Sequence, residues 1–143
     1  MRLFVGDELY AAELAGAVAA QAARRKRVEA FLDVTDVSLD AAAVDGDRER
    51  VTVGVQAQSA EHVIDLDREV VIAGNNTLRR WRCDLVFERA AGAVSNALRG
   101  TATGSCPHCQ AFDGAADDGR CRACGEHVTG GEYDWVLTRE TRL

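Results

Sequence analysis

The chain lacks the patterns that mark membrane proteins and several large enzyme classes. No stretch is long and apolar enough to span a bilayer, because the alanine-rich run over residues 11–23 is interrupted by Glu13 and Gln21. There is no glycine-rich phosphate loop, no Ser-His-Asp set and no His-Glu-x-x-His motif. Enzymes that depend on those motifs are therefore disfavoured.

Positive charge is also scarce. Lys and Arg number 17 against 23 Asp and Glu, so the formal net charge is -6, which argues against a general nucleic-acid binder. Only Arg120 and Arg122 oppose six acids in residues 104–134, whereas a module that grips a phosphate backbone needs the opposite sign. Those acids are Asp113, Asp117, Asp118, Glu126, Glu132 and Asp134. We expect no nucleic-acid partner, and a nucleic-acid-binding regulator is the third-ranked function.

The N-terminal sequence gives an expectation about the compartment. The first eight residues place Asp7 and Glu8 where a signal peptide needs an apolar core, so we expect a cytoplasmic protein. A reducing compartment disfavours structural disulfides. With 143 residues, the chain fits one domain with a small module.

Four cysteines near the C-terminus carry the strongest motif. Cys106-Pro107-His108-Cys109 is followed, after eleven residues, by Cys121-Arg122-Ala123-Cys124. Two Cys-x-x-Cys pairs at this spacing are typical of a tetrahedral zinc site. Pro107, the only proline, favours the first turn, and Gly125 supplies a positive φ after the second pair. We predict one structural Zn²⁺ per chain, since four thiolates leave no open position. The predicted ligands are Cys106, Cys109, Cys121 and Cys124.

Other roles for these residues remain open. The pairs could form two disulfides or a redox Cys-x-x-Cys, although a redox motif usually opens a helix in a βαβ unit. His108 or His127 could replace a cysteine as a ligand. Cys83 stands alone in a strand pattern, where a small buried apolar residue is the expected role.

The first predicted element is an amphipathic helix over residues 8–28. Asp7 is its predicted N-cap, and Arg24-Arg25-Lys26-Arg27 would place cations at its C-terminus, where the helix dipole favours them. Its apolar stripe follows helical spacing and should pack closely on a sheet. The stripe consists of Tyr10, Leu14, Ala15, Val18, Ala19 and Ala22.

From Asp33 the apolar period changes to two, which predicts strands. Asp45-Gly46 predicts a hairpin turn, and a second hairpin should turn near Asp67-Arg68 and end at Gly74-Asn75-Asn76. One predicted face of the first hairpin comprises Val37, Leu39, Ala41 and Ala43 with Val51, Val53, Val55 and Ala57, and Ser38 and Asp40 lie opposite.

The remaining strands frame the cysteine motif. Residues 78–89 are predicted as the longest strand, and residues 132–139 as the last. The inward residues are Trp81, Cys83, Leu85 and Phe87 on one strand and Tyr133, Trp135 and Leu137 on the other. Residues 90–104 are predicted to be a flexible lead-in. Trp81 and Trp135 are the expected core anchors across this closing hairpin.

One helix followed by antiparallel strands is an α+β pattern. We predict a single domain over residues 1–143, in which an N-terminal helix packs on a curved antiparallel sheet. A small zinc ribbon over residues 104–130 would be inserted in the last hairpin, where the metal offsets the entropy of closing a long connection.

The strand sequences resemble those of Tim forty-four-like domains, a family that includes the mitochondrial import inner-membrane translocase subunit. Residues 79–89 resemble its tryptophan-bearing strand, and Asp134-Trp135-Val136-Leu137 resembles its closing strand. Residues 45–53 and 70–75 fit the preceding hairpins, and the cysteine pairs look like the insert of a bacterial zinc-containing branch. The similarity covers residues 32–137. Leu85 stands where the family has a second tryptophan, and Cys83 where an acid is usual.

The resemblance implies a cone-shaped, nuclear-transport-factor-two-like fold and a role as a non-enzymatic scaffold or binding domain. The mitochondrial relative contacts anionic lipid, so the resemblance implies a protein partner or a peripheral site at the inner face of a membrane. Arg24-Arg25-Lys26-Arg27 would serve that contact. A homodimer is also possible, since an exposed sheet face favours association.

The second-ranked function is small-molecule binding or acid–base catalysis in the pocket of the cone. Its candidate residues are Tyr10, Asp33, His62 and Asp84. This alternative needs an apolar cavity around a carboxyl or imidazole group. It fails if the interior is filled by Phe31, Trp81, Leu85, Phe87 and Trp135.

Overall fold

A computed structural model describes residues 4–98, 100–112 and 114–143. Within these residues, one α-helix precedes five strands, which confirms the α+β class and the order of elements. The elements are α1 (Asp7–Ala22), β1 (Arg25–Asp45), β2 (Arg48–Asp65), β3 (Val70–Gly74), β4 (Arg79–Ala90) and β5 (Val136–Arg142).

The strands form one antiparallel sheet in the order β1-β2-β4-β5, and β3 pairs with the end of β2. Both predicted hairpins are confirmed. Asp45 pairs with Arg48 across a two-residue turn in which Gly46 has φ 61°, a conformation that glycine adopts without strain. The cysteine-bearing segment connects β4 to β5, which pair with each other.

The sheet is amphipathic over its centre, because residues paired across strands share a face. Val37 pairs with Val55, and Val55 pairs with Cys83, so one face is apolar. On the opposite face, the guanidinium of Arg82 contacts the carboxylates of Asp40 and Asp84. The predicted alternation is confirmed here.

An irregularity between Leu39 and Ala41 changes the phase of β1. Ala41 lies opposite Thr52 and Ala43 opposite Arg50, so the prediction that both share a face with Leu39 is wrong. A β-bulge inserts one residue into one strand only and therefore moves every later side chain to the other face. Nothing in the period-two pattern of alanines signals the insertion.

Helix α1 is shorter than predicted. Gly6, rather than Asp7, is its N-cap, and the helix ends at Ala22 instead of Val28. Arg24 has φ 54°, which turns the chain out of the helix, and Arg25–Arg27 begin β1 opposite the end of β2. An ion pair of 2.8 Å between Arg27 and Glu61 accompanies this strand pairing.

The predicted apolar stripe of α1 is not buried by the sheet. No residue of the helix is buried, and Leu14 and Val18 remain 45% and 57% exposed. The helix is attached at its N-terminus, where Val5 bridges to Leu137 and the Gly6 amide donates to the Leu137 carbonyl at 2.8 Å. At the other end, residues 23–24 lead into β1, and the Leu66 amide donates to the Arg24 carbonyl at 2.8 Å. The exposed stripe therefore lies between two attached ends of the helix.

Three further predictions about the strands are wrong. The longest strand is β1, with 21 residues against 12 in β4. Phe31, one of the five residues whose packing in the interior would exclude the pocket hypothesis, is 69% exposed at an irregularity of β1. β5 begins at Val136, so Tyr133 and Trp135 precede it. Trp135 stacks with Arg89, and Trp81 lies at the opposite end of β4 beside Arg142, so the tryptophans are not partners across the hairpin.

Candidate metal centre

The two Cys-x-x-Cys pairs fold into matching turns. In each, the amide of the first cysteine donates to the carbonyl five residues later at 2.8 Å, from Cys106 to Ala111 and from Cys121 to Glu126. In each, the amide four residues on donates back to the first cysteine's carbonyl, also at 2.8 Å. Those fourth positions are Gln110, with φ 67°, and Gly125, with φ 75°. The predicted positive φ of Gly125 is confirmed.

The turns bring all four predicted sulfur ligands together. The Sγ atoms of Cys106, Cys109, Cys121 and Cys124 lie within 4.8 Å of one another. Cys106 Sγ lies 4.0 Å from Cys124 Sγ, and Cys109 Sγ lies 3.8 Å from Cys121 Sγ. Sulfurs placed at about 2.3 Å from one ion at tetrahedral angles are about 3.8 Å apart, whereas a disulfide bond is about 2.05 Å long. The spacing fits four ligands of one metal ion.

The electrostatics of the cluster also call for a cation. Burial acts to raise the pKa of Cys121, but amide hydrogen bonds from Cys124 and Ala123 lower it to about 7. Although the Glu126 amide acts to lower the pKa of Cys124, burial and the three neighbouring thiols raise it to about 12. Four thiols at this distance cannot all ionise unless a positive charge lies between them.

The two histidines are occupied outside the sulfur cluster. The ring of His108 packs edge-on against Tyr133 at 5.4 Å, and His127 Nε2 is 2.9 Å from a carboxylate oxygen of Asp7. Beneath the turns, Cys106 and Cys121 pack with Ala115, Val128 and the half-buried Tyr133. The ligand group found among the described residues is the four cysteines.

The segment between β4 and β5 that carries the four cysteines, residues 91–135, is called the cysteine loop below. It contacts the start of α1. Thr129 Oγ1 donates to Asp7 Oδ1 at 2.7 Å, and the Tyr10 hydroxyl donates to Asp117 Oδ1 at 2.7 Å. Together with the His127–Asp7 contact, these bonds join the loop to the first turn of the helix. Sequence reasoning missed this role of Asp7 and Tyr10, since the partners are more than 100 residues away.

The buried carboxylate of Asp134, just before β5, binds the beginning of the cysteine loop. Asp134 accepts hydrogen bonds from Ser95, from the amide and hydroxyl of Thr101 at 3.0 and 2.9 Å, and from the Trp135 amide at 2.8 Å. The predicted flexible lead-in is thus anchored at Ser95 and Thr101, and Arg99 within it lies outside the described residues. Burial acts to raise the pKa of Asp134, but these hydrogen bonds outweigh it and the pKa is lowered.

We expect Asp134→Asn to destabilise the protein by about 2–3 kcal/mol near neutral pH, because the buried donors lose a charged acceptor. The lowered pKa of Asp134 means that its contribution is complete above the unfolded-state pKa of about 3.9 and is lost as pH falls through the folded-state pKa. Urea unfolding at several pH values measures the difference in the free energy of unfolding between the wild type and Asp134→Asn. This difference should become smaller below about pH 4. Exposed Asp33→Asn is the control, and an equal effect of both changes would contradict the assignment.

The four candidates for acid–base chemistry are not brought together. Asp33 is exposed and accepts from Gln58, whereas Asp84 pairs with Arg82. Tyr10 is bound to Asp117, and His62 lies on β2 with a buried Nδ1 that has no hydrogen-bond partner in the described part of the chain. Cys83 is buried as predicted, and burial raises the pKa of its thiol.

The described residues near the cysteine turns include an exposed aromatic side chain, Phe112, with Asp117 and Asp118 on the following turn. Asp113, another acid of this segment, lies outside the described residues. The expectation of no nucleic-acid partner stays a prediction.

The chain matches no family model, no curated protein and no solved structure. The resemblance to Tim forty-four-like domains therefore stays a prediction that rests on short motifs in a shared order. Within residues 4–98, 100–112 and 114–143, no helix has both the length and the apolar character needed to cross a membrane.

Proposed function

We propose that the protein is a non-enzymatic scaffold or binding domain that docks on an anionic membrane surface. A structural zinc ion, held by the four cysteines, would support the loop that positions α1. The observation that carries the membrane proposal is a concentration of cations at one end of the sheet, in a chain whose net charge is -6.

The basic end, as we call it, is formed where β1 and β4 begin and β2 and β5 finish. Arg25 pairs with Asp65 of β2, Arg79 pairs with Ser59, and Arg142 of β5 pairs with Cys83. Antiparallel pairing therefore collects residues that are more than 100 positions apart in sequence. Its cations are Arg24, Arg25, Lys26, Arg27, Arg68, Arg79, Arg80 and Arg142.

Most of these charges are available to a partner. Arg24, Arg27 and Arg142 form ion pairs with Asp67, Glu61 and Glu29. The other five are exposed and lie outside ion-pair distance of any carboxylate in the ranges that the structure describes: Arg25, Lys26, Arg68, Arg79 and Arg80. Such an end would be attracted to anionic headgroups in one orientation only, since the cysteine loop is acidic.

Zinc is the metal that the ligand set favours. Four thiolates select a soft or borderline cation, and a closed tetrahedral site of four cysteines without a water ligand is the usual form of structural zinc. The proposal also includes a cone-like fold with a zinc-ribbon insertion over residues 104–130. It is supported by the helix beside the apolar face and by the position of the loop between β4 and β5.

Liposome co-sedimentation tests the membrane proposal. Binding should occur to vesicles that contain phosphatidylserine, should fall with salt and should be absent with phosphatidylcholine alone. Each cation near such a surface contributes about 1 kcal/mol, so Arg79→Gln with Arg80→Gln should weaken partitioning roughly thirtyfold.

A matched pair of changes separates the basic end from overall charge. Arg122 and Arg139 are exposed cations away from the basic end, and changing both to Gln alters the net charge by the same amount. This control should retain most of the binding. Equal losses in the two double variants, or equal binding to neutral vesicles, would overturn the assignment of the surface.

A further inference from the structure

A cleft separates the start of α1 from the apolar face of the sheet. It has a volume of about 420 Å³ and is lined mainly by apolar side chains, among them Leu9 of α1, Val55, Leu85 and Leu137. Small-molecule sites are commonly apolar concavities of about 300–1,000 Å³ with a few polar groups. The size and lining of the cleft therefore suit a small organic ligand.

Helix α1 spans the cleft between two attached ends. Its C-terminal end leads through residues 23–24 into β1, where the Leu66 amide donates to the Arg24 carbonyl at 2.8 Å. The helix is tied to β5 through Gly6 and to the cysteine loop through Asp7 and Tyr10, so its first turns are held over the sheet. The apolar side chains on the sheet keep an open space above them instead of packing against the helix stripe. The metal-binding loop thus supports the roof of the cleft.

Two carboxylates belong to the lining of the cleft. They are Glu13 of α1 and Glu140 of β5, and both residues are exposed to solvent. Neither is within ion-pair distance of a cation in the described ranges. Burial raises the pKa of the Cys83 thiol, and the charge and hydrogen bond of the Glu140 carboxylate raise it further, so Glu140 lies against the apolar lining. The cleft is therefore apolar and carries two negative charges.

Aromatic rings add a second feature that attracts cations. Phe4, Tyr10 and Trp81 all line the cleft. A ring face attracts ammonium and guanidinium groups. The Arg142 guanidinium already stacks on Trp81 at 4.2 Å, so a ligand cation would be attracted by the rings of Phe4 and Tyr10. Ammonium ligands are commonly held by aromatic rings and carboxylates together.

We propose that this cleft binds an amphiphilic organic cation, an alkylamine or alkyl quaternary ammonium compound whose chain enters the cleft and whose charged group lies between Glu13 and Glu140. The cleft adjoins the basic end, because Arg142 of that end stacks on Trp81 of the cleft lining. The two carboxylates nevertheless give the cleft lining itself the opposite sign. A fatty acid would place its carboxylate against two others, so the cleft should discriminate against it.

Titration calorimetry with three probes of equal chain length tests the proposal. Octylammonium should bind at least about tenfold more tightly than 1-octanol, because it adds contacts to carboxylates and rings, and octanoate should bind more weakly than either. Changing Glu13 and Glu140 to Gln should remove the preference for octylammonium over 1-octanol. Glu8→Gln, at an exposed acid of the same helix outside the cleft, should leave that preference intact.

Three results would each overturn part of the proposal. Octanoate binding as tightly as octylammonium would overturn the choice of a cation, and equal losses in Glu8→Gln and Glu13→Gln would overturn the site. Because Gln has the same shape as Glu and these positions are exposed, the Glu-to-Gln variants should fold normally. An unchanged melting temperature verifies this. Leu9→Trp should reduce the affinity for all probes by filling the cleft, and an unchanged affinity would also overturn the site.

Discussion

Replacing Cys109 by Ser should abolish stoichiometric metal binding and release the cysteine loop from α1. Cys109 is exposed, so the substitution removes a ligand with little loss of packing. Purified wild-type protein should contain one zinc ion per chain after dialysis, and the variant close to none, as measured by plasma mass spectrometry. Loss of a structural metal is one of the few single changes that can cost more than about 4 kcal/mol of stability.

The loss of structure should extend from the cysteine loop to the residues that it contacts. Amide exchange should rise first in the loop and in the first turn of α1, which depends on Thr129 and Asp117. Strands β1 and β2 contribute no metal ligand, so their hairpin should stay folded and its strand signal should persist in circular dichroism. Exchange that rises equally in every strand would contradict a local role for the metal.

Two neighbouring substitutions control for the position. His108→Ala removes the other candidate ligand of the first turn, and Ala123→Ser adds a hydroxyl to the second. Both residues are exposed, and both variants should retain one zinc ion. Cys109→Ser with full zinc content would show that the four-sulfur assignment is wrong, and zinc loss in His108→Ala would make that histidine a ligand.

The turns and the cysteine cluster could be predicted because their information is local. Asp45-Gly46 has the conformational freedom that a two-residue hairpin needs, and the Cys-x-x-Cys spacing confines each sulfur pair to one turn. Gln110 and Gly125 hold equivalent positions, directly after the second cysteine of each pair. The glycine in one pair was therefore a usable signal for the positive φ of Gln110 in the other. These features depend on a few consecutive residues.

The errors arise where distant residues decide the outcome. The end of α1 was misplaced because helical spacing and terminal cations fit a longer helix, and only the pairing of Arg25–Arg27 with the end of β2 excludes it. The bulge after Leu39 has no marker in an alanine-rich segment. Trp135 precedes β5 because Asp134 is bound by Ser95 and Thr101, which are more than 30 residues away.

Replacing Trp81 by Ala should destabilise the protein by about 2–3 kcal/mol, less than the loss of a fully buried aromatic ring, because Trp81 is half-buried and lines the cleft. Trp81 joins three strands: it pairs with Ala57 of β2, its Nε1 donates to Ser59 Oγ at 2.8 Å, and its ring stacks with Arg142 of β5. Its loss also leaves the Ser59 hydroxyl with Glu29 as its remaining side-chain contact. Urea unfolding followed by circular dichroism measures the change.

Trp81→Phe separates the ring from its hydrogen bond. Phenylalanine keeps an aromatic face for Arg142 but cannot donate to Ser59, so this variant should lose only about 1 kcal/mol. If Trp81→Ala cost less than about 1 kcal/mol, the ring would not be packed as the register of β2 and β4 requires. Equal large losses in both variants would instead make the Ser59 bond the dominant contact and would contradict ring packing as the main stabilising effect.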